Sequence, residues 1–153
     1  MSLILKKSFA DNWDSAKKEW MLVDTEQSVE PHVCACGHFP INELCYVNNP
    51  LTQSTLLLGN VCIKKFLDKN TSMIFKTVEK LRENESASLP KKMIEAASTM
   101  RLIREKDYSF YSNVRLKRSL SDAQRRWKVN INDRVMKALE QDHVLNEFTN
   151  HLG

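Results

Sequence analysis

All four cysteines of this 153-residue chain lie within one stretch of 29 residues, at Cys34, Cys36, Cys45 and Cys62. Cys34 and Cys36 flank a single residue and precede Gly37, so a tight turn can point both thiolates at one ion. A disulfide between residues this close in sequence is difficult to form, because it requires a specific separation and dihedral angle. Closed structural zinc sites typically use four cysteines, or three cysteines and one histidine. The spacing therefore predicts one structural Zn²⁺ held by these four cysteines.

The order of the segments around the cysteines is that of a treble-clef zinc finger: a turn, a predicted hairpin, and a cysteine at the start of a helix. The amino terminus of a helix lowers the pKa of a thiol, which favours the thiolate at Cys62. Many treble clefs have a second cysteine on this helix, but Lys65 stands there. The fourth ligand must come from elsewhere, with Cys45 as first choice and His38 as the alternative. Cys45 can equally be a small buried residue of a strand.

The elements around this module are predicted from hydrophobic periodicity. Residues 8–23 indicate an amphipathic helix, since apolar side chains recur at spacings of three and four, and residues 24–31 indicate a polar connector. The four apolar positions of that helix are Phe9, Trp13, Ala16 and Trp20. Two tryptophans on one stripe favour packing against the zinc module. Residues 43–48 and 54–58 predict a hairpin, and a helix begins near Val61.

Four further helical segments follow, and the polar residues 84–90 form the best internal boundary. Helices are predicted from residues 70–71 onward, over 90–105, behind a capping box at Ser121 and Gln124, and at the carboxyl end. We therefore expect an α+β protein, mostly helical, in which a treble-clef-like zinc module packs with amino- and carboxyl-terminal helices. Its regions are 1–85 and 86–153, with one compact domain as the alternative.

Positive charge is concentrated in the second region. Residues 91–137 hold 13 Lys and Arg but 5 Asp and Glu, whereas the rest of the chain carries a net charge of −4. Such a segment is typical of a surface for a polyanion, although solvated helices are also often basic. The predicted phosphate contacts are Arg101, Arg104, Arg115, Lys117, Arg118, Arg125, Arg126 and Lys128. The nearby aromatic residues Tyr108, Phe110 and Tyr111 stack on bases if they are exposed, or else pack in the core.

The run from Cys34 to Phe66, CACGHFPINELCYVNNPLTQSTLLLGNVCIKKF, resembles a module of small viral and phage zinc-binding proteins. The matching positions are Cys34, Cys36, Gly37, Ile41, Asn48, Gly59, Cys62 and Phe66, with a preceding Glu19-Trp20 pair. Leu120-Ser121-x-x-Gln124 similarly resembles a helix start found near the end of such chains. The resemblance implies zinc binding, a mobile-element origin, and a role related to nucleic acids or to interference with a host.

Three functions follow from these observations. The first is a zinc-stabilised accessory protein that binds DNA or RNA, and the second is an inhibitor or adaptor that docks on a host enzyme through its basic surface. The third, a metal-dependent nuclease, is disfavoured because the cysteines use up the metal's coordination shell. The four histidines form no paired motif, and no phosphate-binding loop or nucleophile elbow is present. We therefore expect a protein that is not an enzyme and has no small-molecule substrate.

Composition excludes several classes of protein and indicates the cellular compartment. Gly and Pro together number 7 residues of 153, which excludes collagen-like and low-complexity chains. No apolar run approaches the roughly 20 residues of a membrane span, and no export signal is visible, so we expect a cytoplasmic protein without a membrane partner. Four cysteines in a reducing compartment indicate metal binding more than disulfides.

Overall fold

The computed structural model describes residues 2–152 as an α+β protein, about half of it helical, with eight α-helices and one three-stranded antiparallel sheet. The α+β prediction is confirmed. The elements in chain order are α1 (Ser2–Lys6), α2 (Trp13–Ala16), β1 (Met21–His32), β2 (Ile41–Asn49), β3 (Ser54–Gly59), α3 (Asn60–Leu67), α4 (Ser72–Glu83), α5 (Lys91–Thr99), α6 (Glu105–Val114), α7 (Asp122–Ala138) and α8 (Asp142–Leu152).

The sheet is a meander in the order β1-β2-β3. The predicted hairpin is confirmed as β2 and β3, which pair from Leu44 opposite Gly59 to Asn49 opposite Ser54. Asn49 closes the turn, because its side-chain oxygen accepts from the backbone N–H of Leu51 at 3.0 Å. Helix α3 begins directly after β3, so the chain passes from the sheet into the helix without a loop.

The prediction of one helix over residues 8–23 is wrong. Helix α2 has four residues, a 3-10 turn follows, and the chain is extended from Met21 as the edge strand β1. The predicted connector 24–31 lies within this strand. Leu22 alone is buried along β1, so pairing with β2 forms the strand where the sequence has little apolar alternation.

The two tryptophans nevertheless pack inward, as predicted. Trp20 is buried and its indole N–H donates to Ser8 Oγ at 2.8 Å. Trp13 meets Phe66 of α3 edge-to-face, with ring centroids 6.1 Å apart. Phe9, predicted on the same stripe, is 80% exposed, because no helix continues to that residue.

One cluster of buried apolar side chains extends from Ile4 to Leu152 and includes residues on both sides of the predicted boundary at 85/86. Helix α8 packs against β1, where Asn146 Oδ1 accepts from the Leu22 backbone N–H at 2.9 Å. A second bond joins α8 to the segment that follows α3, where Lys69 Nζ donates to Asn150 Oδ1 at 3.1 Å. The carboxyl-terminal helix thus packs against the edge strand of the sheet.

The predicted capping box is confirmed at the start of α7. Ser121 Oγ accepts from the Gln124 backbone N–H at 3.1 Å, and Gln124 Oε1 accepts from the Ser121 N–H at 3.0 Å. Behind this cap, Ile131 and Val135 are fully buried. The predicted helix over 90–105 is shorter in the structure, where it forms α5, and the aromatic and basic segment 107–118 lies partly in α6.

Candidate metal centre and basic surface

Three of the four cysteines come together in the structure. The Sγ atoms of Cys34, Cys36 and Cys62 all lie within 4.8 Å of one another. Cys34 and Cys36 lie on the turn before β2, and Cys62 lies in the first turn of α3. Sulfur ligands at the Zn–S distance of 2.3 Å in a tetrahedron are about 3.8 Å apart, so three thiolates in this arrangement can hold one metal ion.

Backbone hydrogen bonds fix the turn that carries Cys34 and Cys36. The Cys34 N–H donates to the His38 carbonyl at 2.9 Å, and the Gly37 N–H donates to the Cys34 carbonyl at 2.8 Å. Gly37 has a φ of +94°, a left-handed conformation that favours glycine. The Ala35 N–H donates to the Leu57 carbonyl at 2.8 Å, which attaches the turn to β3.

The three thiols differ in burial and in their partners. Cys34 is buried and its Sγ accepts from the Gly59 backbone N–H at 3.4 Å, while Cys62 is half-buried and Cys36 is exposed. The Cys62 thiol lies 3.1 Å from Cys36 Sγ, and its hydrogen bond, with a second from the His38 backbone, holds the pKa of Cys36 below its ordinary value. Burial and the same hydrogen bond raise the pKa of the Cys62 thiol to about 12, rather than lower it as its place at a helix start predicts. Because thiolate is the form that binds metal, metal binding here must displace the Cys62 proton.

Cys45, predicted as the fourth ligand, lies outside this cluster. It is fully buried on β2, its Sγ lies 3.4 Å from Thr71 Oγ1, and burial raises the pKa of this thiol to about 12. The group of thiols placed to share an ion therefore holds three of the four predicted cysteines, and Cys45 is not one of them. Cys45 occupies the place of a small apolar core residue, which was the alternative interpretation. The ring of His38 is not part of the three-sulfur group either.

A cavity of about 720 Å³ lies against the cysteine cluster. All three clustered cysteines line it, together with the start of α3 and the beginning of β2. Its polar lining includes Glu43, whose Oε2 accepts from Asn60 Nδ2 at 2.6 Å. Burial raises the pKa of the Glu43 carboxyl.

The eight cations predicted to contact phosphates fall into two groups. Five are exposed and form no ion pair with any acidic side chain in the part of the chain that the structure describes. These five, here called the basic surface, are Arg101, Lys117, Arg118, Arg125 and Arg126. Four of them lie in the α6–α7 connection and the first turns of α7.

The other three cations bond within the protein. Lys128 is 3% exposed, its Nζ donates to Ser88 Oγ at 2.7 Å, and burial lowers the pKa of its ammonium group. The ammonium group of Lys128 thus bonds within the protein rather than facing solvent, where a phosphate would contact it. Arg115 Nε donates to the Leu89 carbonyl at 2.9 Å. The remaining member, Arg104, is exposed but pairs with an acidic residue that sequence reasoning missed.

That acidic residue is Asp107, which is fully buried within the basic region, residues 91–137. It accepts from Arg104 Nε at 3.1 Å, from Arg134 at 3.2 Å and from the indole N–H of Trp127 at 2.8 Å. Burial opposes ionisation of this carboxyl, but the three donors outweigh it and hold the pKa of Asp107 well below its usual range. In the sequence, the only signal is the spacing of three residues between Arg104 and Asp107.

The neighbouring aromatic residues pack within the protein. Phe110 stacks on Trp127 with ring centroids 3.9 Å apart and planes 8° from parallel. Tyr111 is fully buried and its hydroxyl donates to Asn132 Oδ1 at 2.6 Å. The core interpretation therefore holds for Tyr111, and Phe110 already has a stacking partner, which leaves half-buried Tyr108 as the remaining candidate to stack on a base.

Comparison with protein-family models, with curated proteins and with solved structures finds no match. None of the helices described between residues 2 and 152 has the length and apolar character needed to traverse a lipid bilayer.

Proposed function

We propose that this chain is a zinc-stabilised accessory protein that binds nucleic acid through the basic surface. In this proposal the metal ties the turn before β2 to the start of α3, and the cations of the carboxyl-terminal helices contact phosphates. The sequence resemblance adds the prediction of a phage or mobile-element origin.

The three-sulfur cluster supports the metal-binding part of the proposal. The order of turn, hairpin and helix is that of a treble clef, and thiolate ligands in a tetrahedral site suit zinc. Because the ligands come from two separate elements, bound metal would crosslink them and contribute directly to the stability of the fold.

One observation carries the nucleic-acid part: the five cations of the basic surface have no acidic partner among residues 2–152, whereas two other arginines pair with the buried Asp107. Cations that no carboxylate neutralises create a positive potential that attracts a polyanion. Phosphate contacts are the main source of affinity in such complexes, and they need no base-specific readout.

Metal content tests the first part. Purified full-length protein should contain one zinc ion per chain by elemental analysis, and Cys36→Ser or Cys62→Ser should lose it. Cys45→Ala is the matched control, because this cysteine is buried away from the cluster and its loss should leave the zinc content unchanged. Metal-free wild-type protein would contradict the proposal.

Fluorescence anisotropy with labelled DNA and RNA, single- and double-stranded, tests the second part. The double variant Arg125→Glu/Arg126→Glu should lose binding at low salt. Lys6→Glu/Lys7→Glu changes the charge by the same amount at exposed positions outside the basic region, and it should bind like wild type. An absence of binding at about 50 mM salt would refute the nucleic-acid proposal.

The second candidate is a protein-docking module, and a groove between α4 and α7 favours it. Half-buried apolar side chains that line the groove include Val78, Leu81 and Val129, and the exposed Arg125 and Arg126 also line it. A partner that remains bound at equal stoichiometry through nuclease treatment and high salt would support this function over nucleic-acid binding.

A further inference from the structure

We infer that the metal held by Cys34, Cys36 and Cys62 takes its fourth ligand from solution, through the adjoining cavity. Water would fill this position in the resting protein, and small nitrogen or sulfur donors would replace it. The inference rests on the metal binding proposed above and goes beyond it, because it makes the site exchangeable rather than closed.

The first argument is the number of protein ligands. Among residues 2–152, the only group of three or more His, Cys, Asp or Glu side chains placed to share an ion is this set of three cysteines. Cys45, the remaining cysteine, lies against Thr71 and is fully buried. Zinc in proteins is almost always four-coordinate, and three protein ligands with an exchangeable fourth are typical of catalytic rather than structural sites.

The second argument is access. The three cysteines all line the cavity of about 720 Å³, which is far larger than one water molecule needs. Cys34 is buried, whereas Cys36 is exposed and Cys62 is half-buried. Because burial decreases from Cys34 to Cys36, one side of the cluster is open to solvent.

The third argument is the chemistry of the cavity wall. Ile41 and Phe66 contribute apolar surface, and Lys65 contributes a positive charge. Glu43 is held in place by Asn60, which also donates to a serine hydroxyl of α4. Such a lining suits a small ligand that has one metal-binding atom and an apolar body. Imidazole tests a nitrogen donor, and 2-mercaptoethanol tests a sulfur donor.

X-ray absorption at the zinc edge of the full-length protein tests the inference. Elemental analysis comes first, because protein without zinc would refute the proposed metal site itself. With zinc present, we expect three sulfur atoms at about 2.3 Å and one nitrogen or oxygen atom at about 2.0–2.1 Å. A shell of four sulfur atoms would overturn the open position while leaving metal binding intact.

Exchange is tested on protein loaded with Co²⁺, whose visible spectrum reports its ligands. Imidazole and 2-mercaptoethanol should each produce a saturable spectral change while the metal stays bound, and an unchanged spectrum with both probes would overturn the inference. His38→Ala should keep the zinc content and the three-sulfur shell of wild type. Loss of a histidine scattering signature in this variant would instead identify His38 as the fourth ligand.

Discussion

The salt dependence of nucleic-acid binding separates the surface seen in the structure from the one predicted by sequence. Replacing Arg125 and Arg126 by alanine removes two of the five cations of the basic surface, which have no acidic partner in the described chain. Each phosphate contact on duplex DNA contributes about −0.9 to the slope of log K against log salt concentration, because binding releases condensed counterions. The double variant should therefore make the slope less negative by about 1.8.

The total slope also distinguishes the five-cation basic surface from the full set of eight cations predicted by sequence. Five contacts give a slope of about −4.5, which is about a 500-fold loss of affinity between about 50 and 200 mM salt. All eight predicted cations would give about −7.2, or about a 20,000-fold loss. Without Arg125 and Arg126, three contacts remain and the loss falls to about 40-fold.

Anisotropy titrations over several salt concentrations measure these slopes on a duplex. Lys6→Ala/Lys7→Ala is the matched control and should leave the slope unchanged, since both lysines lie outside the basic region. Lys128→Ala should also keep the slope, once circular dichroism has shown that it folds, because its ammonium group bonds to Ser88. A double variant with the wild-type slope would refute the assignment of Arg125 and Arg126.

Three further predictions concern the elements that position these sites. Asp107→Asn should destabilise the fold by about 2 kcal/mol, because it removes the charged acceptor that Arg104, Arg134 and Trp127 share. Because folding lowers the pKa of Asp107, its carboxylate stabilises the fold at pH values above its unfolded pKa of about 3.9, and this stabilisation is lost as the pH falls further. The melting temperature of Asp107→Asn should therefore depend less on pH between pH 7 and pH 2 than that of wild type. Gly37→Ala should cost about 1–2 kcal/mol and weaken zinc retention against a chelator, because φ is +94° there while no atom lies within 4 Å of the new Cβ. Ser121→Ala should lower the melting temperature by about 2–4 °C, the effect of losing a cap worth about 1 kcal/mol, and Ser121→Asp should restore it.

Local signals determined the elements that the sequence predicts well. The hairpin follows from apolar strands around Asn49 and its turn, and α7 follows from the capping box at Ser121, where both bonds join residues three apart. Cys34, Cys36 and Cys62 were predictable as a cluster because a turn ending in Gly37 and a helix start recur in metal sites. These features depend on neighbours close along the chain.

Packing between distant segments decided the rest. The strand β1 carries one buried residue, Leu22, and forms because β2 offers it hydrogen-bond partners. Residue type cannot separate a ligand thiol from a core thiol, and Cys45 is the latter only because the fold turns it toward Thr71. Charge is likewise visible in sequence while solvent exposure is not: Lys128 and Arg126 lie on one helix, yet tertiary packing buries the first and exposes the second. The sequence by itself thus determined the types of chemistry available to this protein, whereas tertiary structure decided which side chains can perform them, because burial and pairing depend on residues far apart along the chain.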